Sequence, residues 1–380
     1  MIPSIPIPLS GQRFRVHYKI LGNEAEALEK AHDICLEQTV EFPNDLVPQG
    51  DIRDHIVGYI EALREIDLTH CEAIISYAVE TSGFELTQLL NVIFGNSSIK
   101  PGIRVEKLDL PQALLKHFKG PRFGRDGLRK ILNVPTRPLL CTALKPMGLP
   151  AHALADLAYQ FALGGIDIIK DDHGLANQSF APFKERVERC AESVARANRE
   201  TGYRCIYLPN VTAPVDRITE YAAFARDHGA GGLMIAPGIV GFDAMRSLAD
   251  DDRINLPILT HPALQGSFVT HPDNGISHCV IFGQLARLAG ADGSIFPNFG
   301  GRFSFSREEC KSIANGTVMP MAHLKPILPS PGGGMNLNRI PEMLELYGRE
   351  VIFLIGGGLH KHGDNLVENC KYFRKIVEGM

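Results

Sequence analysis

From Leu139 to the carboxyl terminus the sequence alternates short apolar runs with amphipathic stretches, and few folds accept that rhythm. The runs are Leu139–Leu144, Ile166–Lys170, Arg204–Leu208, Gly232–Ala236, Pro257–Thr260, Gly293–Phe296, Pro326–Pro329 and Val351–Ile355. Each is short and bounded by turn residues, as strands covered on both faces are. Between them, stretches such as Ala151–Leu163, Ala181–Arg199, Arg217–His228, Ser277–Leu288, Ile340–Tyr347 and Asn365–Glu378 place apolar residues at helical spacing. Eight strand–helix repeats over about 250 residues predict an α/β chain ending in a (β/α)8 TIM barrel. An open doubly wound sheet is the alternative, because closure leaves no mark in a sequence.

The preceding third has a different order. Arg13–Leu21 alternates as a strand, and Ala25–Val40 is helical. Strand-like runs follow at His55–Glu65 and Cys71–Val79, then a helix at Glu85–Phe94 and a strand at Arg104–Leu110. That order predicts a ferredoxin-like α+β domain. With 380 residues, more than the roughly 250–300 at which single cores stop growing, two domains are expected. The boundary falls between 1–125 and 126–380.

A net charge of -4 offers no basic field for a nucleic-acid backbone, so no nucleic-acid partner is expected. No apolar run nears the roughly 20 residues that span a bilayer, and Met1 to Ser10 has no basic-then-apolar leader. The expectation is a cytoplasmic protein with no membrane partner. The eight cysteines form no Cys-x-x-Cys pair, and most are expected to be buried, reduced thiols.

Chemistry gathers at the strand ends, where barrels of this kind carry their active sites. The second run emerges into Lys170, Asp171, Asp172 and His173. Strand alternation points Lys170 and Asp172 to one side and Asp171 to the other. The first run ends in Lys145-Pro146, the third in Pro209-Asn210 and the fifth in His261-Pro262. A single polar residue there usually caps a turn; four such ends together point to a site. The last two runs lead into Gly332-Gly333-Gly334 and Gly356-Gly357-Gly358. Glycine lets backbone N–H groups approach an anion, and these two loops are the usual phosphate site of the barrel. A phosphorylated small-molecule substrate follows.

The stretch Gly164-Gly165-Ile166-Asp167-Ile168-Ile169-Lys170-Asp171-Asp172-His173, with Asn177-Gln178 after it, resembles the Gly-Gly-x-Asp-x-x-Lys-Asp-Asp-Glu motif of the RuBisCO large subunit. The likeness extends through Asn96, Leu139–Pro146, Tyr207–Thr212, His261 and both glycine triplets. It implies that Lys170 takes up CO2 as a lysine carbamate and, with Asp172 and the position of His173, binds a divalent metal. Mg2+ is the family ion. Magnesium favours oxygen, so His173 in place of Glu moves the preference toward Mn2+ or Zn2+. The resemblance also implies catalytic roles for Lys145, His261 and Asn210, with Lys145 handling the proton during enolisation; His173, which departs from the family, is itself a candidate catalytic proton carrier. Ser330, Gly333, Gly334, Gly356 and Gly357 would hold a sugar phosphate. Asn96 would enter the partner's site, which implies a homodimer with composite active sites.

The departures bear on the reaction. The loop Pro297-Asn298-Phe299-Gly300-Gly301-Arg302 has no lysine where RuBisCO polarises CO2, so Glu37, resembling that lysine's partner, is expected to lack its mate. Pro262 stands where an arginine holds a second phosphate, Met147 replaces a lysine, and the chain has no Trp. The sequence therefore resembles a RuBisCO-like protein (form IV) and not a bisphosphate carboxylase. The expected reaction is metal-dependent enolisation of a phosphorylated ketose or keto sugar acid, leaning toward C–C cleavage as in decarboxylation or hydrolysis of 3-oxo-isoapionate 4-phosphate. The alternatives are an enolase or isomerase of methionine-salvage type, or a non-catalytic sugar-phosphate scaffold.

Overall fold

The structure, a computed structural model, describes residues 7–303 and 305–379, so six of the ten residues read for a leader lie outside it. It divides into two compact units. The first takes the chain up to Lys119 with Gln265–Leu285 and Pro320–Leu324; the second takes Gly120–Leu264, Ala286–Met319 and the chain from Lys325 onward.

In the first unit a sheet is built on β1 (Arg13–Leu21), whose alternation buries Phe14, Val16, Tyr18 and Ile20 completely. The helices Glu24–Glu37 and Leu86–Phe94 bury apolar faces of their own. Asn23 starts the first helix through a capping box with Glu26, which satisfies two otherwise unpaired backbone N–H groups. β2 (Tyr59–Asp67), β3 (His70–Ala78) and β4 (Ile103–Asp109) complete the βαββαβ order, with β1 antiparallel to both β3 and β4. Two features differ from the sequence reading. Residues 52–56 form a π turn, so the strand expected from His55 begins only at Tyr59. A two-residue strand, β10 (Gly275–Ile276), adds to the sheet edge parallel to β4. A run that short carries no readable alternation.

The second unit contains eight parallel strands. They are β5 (Leu139–Leu144), β6 (Ile168–Asp171), β7 (Ile206–Leu208), β8 (Leu233–Ile235), β9 (Ile258–Thr260), β11 (Gly293–Pro297), β12 (Leu328–Gly332) and β13 (Ile352–Leu354). Ladders join β13-β5-β6-β7 and β8-β9-β11-β12. The Asn210–Met234 bridge links β7 to β8, and β12 packs on β13 where a Cβ on Gly332 would lie 2.9 Å from Leu354 Cδ2. The expected barrel is what forms. Its interior takes a side chain from every strand, among them Leu139, Ile168, Leu208, Met234, Leu259, Ile295, Leu328 and Ile352. Each such burial stabilises by about 1.5–3 kcal/mol, which favours filling the barrel over leaving one sheet face open. Below this core, Asp292 accepts from the backbone N–H groups of Phe123 (2.8 Å), Gly124 (2.5 Å) and Ile258 (2.9 Å). All eight cysteines are free thiols.

Candidate active site

Lys170, Asp171 and Asp172 come from the end of β6, and strand alternation separates their tasks. Asp171 is fully buried behind the strand. It accepts from Arg186 Nε (3.1 Å), Tyr207 OH (2.7 Å) and the Asn210 backbone N–H (3.0 Å). Arg186, also fully buried, donates to the carbonyls of Ala181 (2.6 Å) and Ala176 (2.8 Å), so one ion pair anchors the loop that follows β6. The sequence reading did not anticipate Arg186 or Tyr207 in this network.

On the other side, Lys145 from the end of β5 forms an ion pair with Asp172 at 2.9 Å, and His173 Nδ1 approaches the same carboxylate oxygen at 3.4 Å. Burial alone would raise the pKa of Asp172. Hydrogen bonds from His173 and Lys145 overcome it and hold the carboxyl well below the usual carboxylate range. Lys170 is almost completely buried and donates to the Asp171 carbonyl at 3.0 Å. Burial pushes its pKa below that of an ordinary lysine, favouring the neutral amine.

His261, at the end of β9, stacks on His173 with centroids 4.5 Å apart and planes within 7°. Burial, with Lys170 nearby, pushes its pKa down to about 2. Its Nδ1 accepts from the Ala263 backbone N–H at 3.2 Å, so the neutral ring carries its proton on Nε2. Asn210 stands just after β7. Its amide donates to the carbonyls of His173 (3.1 Å) and Leu175 (3.0 Å) and accepts from the Thr212 N–H (3.1 Å). Its hydrogen-bonding groups are thus engaged by the backbone beside His173.

At β12 and β13 the glycines divide between packing and open space. Gly333 and Gly334 take φ of +83° and +87°, a conformation side chains resist. Gly358 lies against the next loop, where a Cβ would sit 2.6 Å from the Met335 carbonyl oxygen, whereas one on Gly357 would meet nothing. A Cβ on Gly356 would lie 3.9 Å from Lys145 Cε, so the second triplet borders the Lys145 stem. Ser330 Oγ on β12 is buried with no hydrogen-bond partner, an unusual state for a buried hydroxyl. Asn96 belongs to the first unit. It donates to Glu37 at 2.9 Å, and Lys100 reaches the other Glu37 oxygen at 3.2 Å, so Glu37 pairs with a cation other than the loop lysine the sequence lacks.

Among the described residues no three His, Cys, Asp or Glu side chains converge to hold a metal ion. Asp172 and His173 offer two ligands, and a third oxygen donor is available only if Lys170 carries a carbamate. The donor set therefore fits a divalent ion on that condition.

Residues 125–380 match the family described as ribulose bisphosphate carboxylase large chain, catalytic domain. The chain is 40% identical to ribulose bisphosphate carboxylase-like protein 1 of Rhodopseudomonas palustris, over 96% of this chain and 98% of that one. It is 39% identical to 5-methylthioribulose-1-phosphate isomerase of Rhodospirillum rubrum, over 97% and 96%. The crystal structure of a Rubisco-like protein from Rhodopseudomonas palustris superposes with a TM-score of 0.88 at 36% identity, over 97% of this chain and 98% of that one. Barrel, strand-end residues and full-length relatives agree, and the chain belongs to the RuBisCO large-chain family, among the RuBisCO-like proteins.

Proposed function

We propose that this chain is an isomerase-type enzyme that enolises a phosphorylated sugar bearing a thioether, of the class of 5-methylthioribulose 1-phosphate. The observation that carries the reading is the Lys145–Asp172 ion pair at the barrel mouth, beside a neutral His261 and bordering the second glycine triplet. The similarity to the Rhodospirillum rubrum isomerase favours isomerisation over C–C cleavage, which no residue of this site specifically favours.

Isomerisation through an enediol removes a proton from a carbon next to a carbonyl and returns one to a neighbouring carbon. Lys145 as the neutral amine takes that proton, becomes the ammonium paired with Asp172, and returns a proton to the neighbouring carbon; a positioned acid–base group of this kind contributes about 10²–10⁴-fold. His261, neutral and protonated on Nε2, donates to the oxygen that becomes negative. A neutral imidazole suits this role because it stabilises charge without surrendering its proton. Ser330, Gly333, Gly334, Gly356 and Gly357 hold the phosphate. Lys170 as its carbamate, Asp172 and His173 would hold a divalent ion, Mg2+ first among candidates, which supplies positive charge to the enediolate when bound. Asn96 from a second copy would complete the site in a homodimer.

The test is solvent deuterium incorporation into 5-methylthioribulose 1-phosphate, followed by NMR with metal and bicarbonate present. Exchange that the K145M variant loses is expected. Binding without exchange by the unmodified protein would leave only the scaffold reading standing.

A further inference from the structure

The loop after β11 folds back over the loop after β12, and backbone contacts fix the fit. Asn298 N–H donates to the Gly332 carbonyl (2.8 Å) and Arg302 N–H to the Gly333 carbonyl (3.1 Å). Glycine is required on both sides of this seam. A Cβ on Gly301 would collide with the Gly333 carbonyl oxygen, and one on Gly334 would lie 2.9 Å from Arg302 N. The seam lays the Arg302 stem along the anion cradle: Arg302 Cβ and Cγ lie 3.4 and 3.5 Å from where a Gly334 Cβ would be.

The charges around this loop are unevenly neutralised. Arg339 pairs with Glu342 at 2.9 Å and donates to the Phe299 carbonyl at 2.7 Å, which holds the loop from beneath. Arg307 pairs with Glu345 at 3.2 Å. Arg302 has no carboxylate within ion-pair distance among the described residues; its guanidinium lies 5.0 Å from the ring of Phe303. A second observation at the same corner is the buried, unpartnered hydroxyl of Ser330, which pairs in register with Ile295 of β11. An unneutralised guanidinium, an unsatisfied buried hydroxyl and two positive-φ glycines on adjoining strand ends all suit one ligand chemistry, a phosphate monoester. Guanidinium and phosphate pair through two parallel hydrogen bonds.

We propose that Arg302 is the cation of the substrate-phosphate site, its guanidinium gripping the phosphate held over Gly333 and Gly334. The proposal rests on the phosphate-cradle reading given above and adds what the glycines lack, a charge. It also restores a cation to the loop whose sequence offers no lysine.

The probe is inorganic phosphate, titrated into the full-length protein and followed by 31P line broadening, with thermal unfolding as the control for fold. Because Arg302 is exposed, R302Q should leave the unfolding temperature unchanged and weaken phosphate at least tenfold. R302K should recover part of that loss, since it keeps the charge without the fork, and S330A should weaken phosphate independently. If S330A weakens phosphate while R302Q does not, the assignment of Arg302 is overturned and the cradle stands. If neither variant affects phosphate, or none binds, the cradle reading fails and the role of Arg302 fails with it.

Discussion

His173 and His261 stack face to face, 4.5 Å between centroids, although they follow different strands of the barrel. Burial, with Lys170 and then His173 nearby, keeps His261 neutral, and His173 Nδ1 lies 3.4 Å from Asp172.

That arrangement has a pH signature. An unfolded histidine titrates near 6.5, whereas His261 in the folded, metal-free protein stays neutral down to about 2. The unfolded state therefore binds the extra proton as pH falls below about 6.5, and stability present above that value is lost on acidification. At pH 5 the linkage amounts to about 2 kcal/mol. Urea unfolding of H261N at pH 7.5 and 5 should show a smaller acid loss than the unsubstituted protein; equal losses would contradict a buried neutral imidazole.

Lys145 is partly exposed, so its loss should damage chemistry more than folding. K145M is expected to lower kcat by about 10²–10⁴-fold with KM changed only a few fold and the unfolding temperature within a few degrees. Steady-state kinetics beside calorimetry checks this, and a KM effect larger than the kcat effect would assign Lys145 to binding.

Arg186 should behave in the opposite way. Its removal leaves Asp171 charged and fully buried, which costs about 3–5 kcal/mol. R186M is expected to unfold at markedly lower denaturant, measured by circular dichroism, and to lose activity because the loop bearing His173 is released. An unchanged midpoint would show that Tyr207 and the Asn210 N–H suffice for Asp171.

The buried amine of Lys170 should take up CO2. Protein treated with EDTA in CO2-free buffer is expected to lose activity and regain it only with both bicarbonate and a divalent metal. A carbamate resonance from 13C-bicarbonate should appear in the native protein and be absent in K170M. Its absence from both would remove the third metal ligand.

The H173E variant restores an oxygen ligand. Calorimetric titration should show Mg2+ binding at least tenfold tighter than native in the presence of bicarbonate, as a hard ion prefers carboxylate to imidazole. Equal affinity would place His173 outside the metal shell.

Local pattern settled a good deal of this protein. The rhythm of short apolar runs prescribes eight strands alternating with helices, though not their closure into a barrel, and alternation along β6 separates Asp171 from Lys170 and Asp172. These follow from period-two geometry, which each residue obeys regardless of distant neighbours. What the sequence could not disclose is which distant groups meet. Arg186 is fifteen residues from the carboxylate it neutralises, and β10 is too short to carry a pattern. The place of Asn210 at a strand end was visible in the sequence, while its bonds to the His173 and Leu175 carbonyls were not. The hydrogen bond from Arg302 N–H to the Gly333 carbonyl likewise exists only because one loop folds over another. Strand identity is written in nearest neighbours, whereas charge, tautomer and hydrogen-bond partner depend on what the closed barrel brings within a few ångströms.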